Sequence, residues 1–61
     1  MAKMDAAQTA RFVANALTTI ADGHGMSLAI EYDSGEEATT DEEKLYVLAG
    51  WLKEAAEEIQ G

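Results

Sequence analysis

The chain has 61 residues, with four Lys and Arg against twelve Asp and Glu, a formal charge of −8 and a pI of about 4.2. With 48% hydrophobic residues it is no disordered acidic tail, and without cysteine it has no disulfide framework, thiolate nucleophile or cysteine zinc site. Such acidity weighs against nucleic acid and anionic membrane as direct partners, because both need a basic face.

Met1-Ala2-Lys3-Met4, followed by Asp5, Gln8 and Thr9, lacks the apolar core of a signal peptide. The longest run of apolar residues and glycine, Leu45 to Leu52, falls far short of the roughly 20 residues that span a bilayer. One small cytoplasmic domain over residues 1–61 is expected.

Asp5 is suited to cap a first helix over about residues 6–22, its carboxylate accepting from the orphan N–H groups. Ala6, Val13, Ala16, Leu17 and Ile20 fall on one side of that helix and Gln8, Arg11, Asn15, Thr18 and Asp22 on the other, with Phe12 at the border. Gly23 fits the left-handed position that ends a helix. From Met26 to Tyr32 the period changes to two: Met26, Leu28, Ile30 and Tyr32 point one way, Ser27, Ala29 and Glu31 the other. That pattern predicts a half-buried strand over 26–32. A turn at 33–36 built on Asp33-Ser34-Gly35 and a short returning strand at 37–40 would complete a hairpin.

Thr40 with Glu43 has the spacing of a capping box, and Asp41, Glu42 and Glu43 suit the positive end of a helix dipole. The second helix is expected over about 41–60, its main apolar side formed by Leu45, Leu48, Leu52, Ala55, Ala56 and Ile59. The fold class read from these elements is α+β, two helices flanking a short strand or β-hairpin, and dimeric.

Catalytic and metal chemistry find little support. The one histidine, His24, lies between Gly23 and Gly25, a poor place to hold a base against a nucleophile. The acidic stretch fails the calcium-loop pattern in both registers. Counting from Asp33, the sixth position is Ala38 where glycine is needed and the twelfth is Lys44 where a glutamate is needed; counting from Glu31, the sixth is Glu36. Gly23-His24-Gly25 leads toward a strand, and no Gly-Lys-Ser/Thr follows, so no phosphate cradle is present. The expectation is a protein with no enzymatic activity, no cofactor and no metal.

Two features point to interaction. Residues 1–30 balance Lys3 and Arg11 against Asp5 and Asp22, whereas residues 31–61 set ten acids against Lys44 and Lys53. Glu31, Asp33, Glu36, Glu37, Asp41, Glu42 and Glu43 form a run with no basic residue among them. Clustered carboxylates can imitate the phosphates of a nucleic acid and occupy a protein groove lined with Lys and Arg; the plainer alternative is a solvated surface. The second feature is a helix apolar nearly all round, on which Tyr46, Val47, Gly50 and Trp51 offer a seam for self-association or a hot spot for a partner. A chain of this size buries only about 60% of its unfolded surface, which favours a homodimer.

The order helix, hairpin, helix resembles that of small proteins of phage particles such as head–tail joining proteins. Small size and an acid-rich face resemble the inhibitors that phages and mobile elements carry against restriction or CRISPR systems. The function expected is thus an acidic inhibitor that occupies a basic, nucleic-acid-binding surface of a partner protein. The alternative is a structural or assembly subunit working through its apolar second helix.

Overall fold

The first helix, α1, begins where Asp5 caps it. The Asp5 carboxylate accepts from the Gln8 N–H at 2.8 Å, and the Gln8 side chain accepts from the Asp5 N–H at 3.2 Å. This closes a reciprocal capping box that satisfies two orphan donors. A computed structural model describes residues 4–61; Met1, Ala2 and Lys3, part of the segment read for a signal peptide, lie outside the described residues.

α1 spans Ala6–Ala21 and stops at a glycine for a stereochemical reason. Gly23 has φ +85, the Gly23 N–H donates to the Ile20 carbonyl at 3.0 Å, and the His24 N–H donates to the Thr19 carbonyl at 2.9 Å. Those crossed bonds and the left-handed glycine are a Schellman motif. The second helix, α2, spans Asp41–Gln60. Its N-cap Thr40 accepts from the Glu43 N–H at 3.1 Å, while the Glu43 carboxylate accepts from the Thr39 N–H at 3.3 Å. The reciprocal half of the expected box has therefore moved one residue upstream.

Between the helices the α+β expectation is overturned: the described residues contain two α-helices and no β-strand. Gly25–Ser27 form a 3-10 turn, which puts Met26 out in solvent at 95% exposure and cancels the start of the expected strand. Residues 28–40 are an irregular connector with one antiparallel bridge, Glu31 opposite Glu37. Two ladder bonds flank it, from Ala38 N–H to the Ile30 carbonyl and from Tyr32 N–H to the Glu36 carbonyl, both 2.8 Å. The turn at its tip closes with Gly35 N–H donating to the Tyr32 carbonyl at 2.9 Å, Gly35 at φ +94. A ladder ends there because 37–40 offers no large apolar side chain to cover, and an isolated two-stranded hairpin is marginal. Without a hairpin, the likeness in element order to head–tail joining proteins is gone.

Alternation still orients the connector. Ile30 and Ala38 are fully buried, and Leu28 and Tyr32 pack beside them against Val13, Ala16, Val47 and Leu48. The helices run antiparallel: the 3-10 turn after α1 meets the start of α2, and Met4 and Thr9 share a groove with Glu54, Ala55 and Glu58 near its end. Phe12 and Trp51 meet along one edge, ring centroids 5.9 Å apart and tilted by 44°. The connector packs over that same edge.

One contact that closes the helical pair is a lysine. Lys44 is only 5% exposed, and its ammonium donates to the Gly25 carbonyl at 2.6 Å. The Leu28 N–H donates to the same carbonyl at 3.1 Å, so both lone pairs of Gly25 are used. Gly25 is itself buried, and a Cβ there would run into the Asp41 carboxylate. That carboxylate ends an exposed side chain, so a side chain at residue 25 would have to turn Asp41 aside.

Candidate functional site

The acids expected to form one docking surface are placed in four different settings. Glu31 and Glu37 stand opposed across the bridge, both exposed on its outer side. Glu36 and Glu43 approach Tyr32. Partial burial of the Tyr32 ring raises its phenol above the usual range, and the negative charges of Glu43 and Glu36 push the same way. Asp41 lies against Gly25, and Glu42 is exposed on the first turn of α2. Asp41, Glu42 and Glu43 serve the start of the helix, where carboxylates oppose the dipole.

Asp33 is different. It sits at the connector's turn and faces α2 across a groove of about 420 Å³. Glu54 and Glu58, one helical turn apart, line the groove with Asp33, and Trp51 and Ala55 line it beside them. Met4, just ahead of α1, and Thr9 within it line the groove as well. Three carboxylate residues around a half-buried indole suit one ligand chemistry above others: a cationic side chain with an apolar stem. In such a ligand the stem would lie along Trp51, the indole would attract the cation, and the carboxylates would accept its hydrogen bonds. A guanidinium fits best, being planar, weakly hydrated and able to stack.

Tyr46, Val47, Gly50 and Trp51, the expected seam, line an adjoining hollow of about 120 Å³ together with Tyr32, Asp33 and Glu54. Within that strip Val47 belongs to the core and Trp51 packs against it, while Tyr46 is 76% exposed. Gly50 has open space where a side chain would stand. Nothing inside the chain therefore requires glycine at that position.

Glu54 and Glu58 are the site residues that sequence reasoning passed over. A signal existed: Trp51, Glu54 and Glu58 at spacings of three and four share one side of a helix. Asp33 joins them only through the path of the connector, which no local pattern gives. His24 is exposed, and among the described residues no group of three or more His, Asp or Glu side chains is arranged to hold a metal ion. Among the same residues no helix is long and apolar enough to cross a membrane. No protein-family model matches the chain, and no curated protein and no solved structure is significantly similar to it.

Proposed function

We propose that this protein is a non-enzymatic interaction module of the cytoplasm that docks on a basic surface of a partner protein, taking an arginine side chain into the groove between Asp33, Glu54 and Glu58. The observation that carries this reading is that groove, which Asp33, Glu54 and Glu58 line together with Trp51. Glu31, Glu36 and Glu37, exposed on the connector, extend the negative field beyond the groove and steer a basic partner toward it. A surface built to hold nucleic-acid phosphates presents the complementary chemistry, so occupation of such a surface would block it. The chain then acts as an inhibitor of a nucleic-acid-binding protein.

Immobilised chain presented with lysate of its source organism tests the reading. Proteins retained at low salt should be displaced by added duplex DNA and should fail to bind when Asp33→Asn, Glu54→Gln and Glu58→Gln are combined. Retention that survives both the DNA and the triple substitution would count against it.

A further inference from the structure

We infer that two copies of this chain associate through the side of the helical pair that the connector leaves bare, forming a four-helix bundle. Along α2, Leu45, Ala49, Leu52, Ala56 and Ile59 recur at spacings of four and three, the spacing of a helix–helix seam. None of them is buried: Leu45 and Leu52 are 40% exposed and Ile59 68%. Along α1, Ala7, Ala10, Ala14, Leu17 and Ala21 follow the same spacing, all exposed except Ala10, which is half-buried. In each helix this stripe lies about a quarter-turn from the core-facing residues. Because the helices are antiparallel, both stripes emerge on the same side, away from Phe12, Trp51 and the connector. No charged residue interrupts either stripe.

A second copy fits this face because the face is complementary to itself. α2 contributes a ridge of leucine and isoleucine, and α1 a trough made mostly of alanine. A two-fold axis parallel to the helices lays the ridge of each copy in the trough of the other, and every neighbouring pair of helices is then antiparallel. The 16 residues of α1 run about 24 Å. Two helices side by side are about 20 Å across, so the face covers roughly 500 Å² per copy, and the pair reaches the roughly 1,000 Å² that a specific interface needs. The connector acids lie on the other side of a molecule whose shortest dimension is 20 Å, and interactions between exposed charges decay over about 8 Å at physiological salt. In the dimer the two Trp51 grooves face opposite directions, so each could take its own basic side chain.

Sedimentation equilibrium at about 100 µM, well above a Kd of ~1 µM typical of small interfaces, reads the result. The expected mass is twice the 6.5 kDa of one chain. Leu52→Glu and Ala14→Glu, one on each helix, should each return it to 6.5 kDa with helical circular dichroism retained, while Tyr46→Ser should stay dimeric. Oxidative footprinting of the unaltered chain reads the same face without substitution: labelling of Leu52 and Ile59 should fall on concentration, and that of Tyr46 should not. A 6.5 kDa mass for the unaltered chain, or a doubled mass in a folded Leu52→Glu or Ala14→Glu variant, overturns the inference. So does footprinting protection at Tyr46 in place of Leu52 and Ile59.

Discussion

Glu31 and Glu37 stand directly opposite each other in the one antiparallel bridge of the connector. The flanking bonds run from Ala38 to Ile30 and from Tyr32 to Glu36, so the two glutamates occupy a non-hydrogen-bonded pair, the closer of the two pair types. Two like charges are held there by backbone bonds and by the burial of Ile30 and Ala38 on the inner side. The arrangement works against the fold, and it keeps a concentrated negative charge on the outer side of the connector.

Neutralising one member should therefore stabilise the protein. Glu31→Gln is expected to raise stability by about 0.2–1 kcal/mol, the scale of a cross-strand pair. The gain should be larger at low salt and shrink as salt screens the pair. Urea denaturation at two salt concentrations checks this, and an unchanged midpoint at low salt would show that the two carboxylates do not feel each other.

Lys44 should matter for stability although it carries a charge. Lys44→Ala removes the bond to the Gly25 carbonyl and the buried stem that ties the turn after α1 to the start of α2. The carbonyl keeps its bond from the Leu28 N–H, so no acceptor is left wholly unpaired. A loss of about 1–2 kcal/mol is expected in denaturation by urea. Lys53→Ala, at an exposed site on the same helix, is the control and should change little.

Gly50→Ala should stabilise the protein by about 1 kcal/mol, since the position is helical and a Cβ meets nothing within 4 Å. The mass in sedimentation should be unaffected. A lower mass on this substitution would mean that another chain approaches Gly50 closely and that the contact lies on the Tyr46 side of α2.

Tyr32 makes stability fall in alkali. Its folded pKa lies above the ordinary value of 10.0, through partial burial of the ring and then the charges of Glu43 and Glu36. The folded state therefore holds the proton more tightly than the unfolded chain. The contribution is fully present below the unfolded pKa and is lost as pH rises through the folded one. Melting temperature should drop as pH rises above about 10. Tyr32→Phe should flatten that drop, and an equal drop in the variant would assign it to other groups.

Helices were legible in the sequence because their signals are local. Asp5, Gly23 and Thr40 mark three of the ends, and α2 begins and ends where the pattern places it. Alternation at Leu28, Ile30 and Tyr32 gave the inward side of the connector correctly but suggested a strand. A strand needs a partner, and only two ladder bonds form beside opposed glutamates and a return segment whose one buried side chain is Ala38. The apolar residues of α2 were legible as a set and were divided wrongly between inside and outside. Leu48 and Ala55 are buried, whereas Leu45, Leu52 and Ile59 are not. The difference is set by α1 and the connector, which cover the Val47 and Trp51 side, and no periodicity within α2 reports that. Asp33 was legible as an acid but not as the neighbour of Glu54 and Glu58, a relation made only by the tertiary path.

The groove at Trp51 can be tested directly, because Trp51 is the chain's one tryptophan and its fluorescence reads the site. A short arginine-rich peptide, lacking tryptophan and titrated at low salt, is the probe. The account predicts a saturable change in Trp51 emission whose affinity falls steeply with added salt. Combined Glu54→Gln and Glu58→Gln should weaken it about fivefold or more, as expected for losing two exposed ion pairs. A peptide with ornithine at each arginine should bind less well, because it cannot stack a planar cation on the indole. Emission that stays flat across the titration, or an affinity that the double variant leaves unchanged, would contradict the claim that this groove receives a basic side chain.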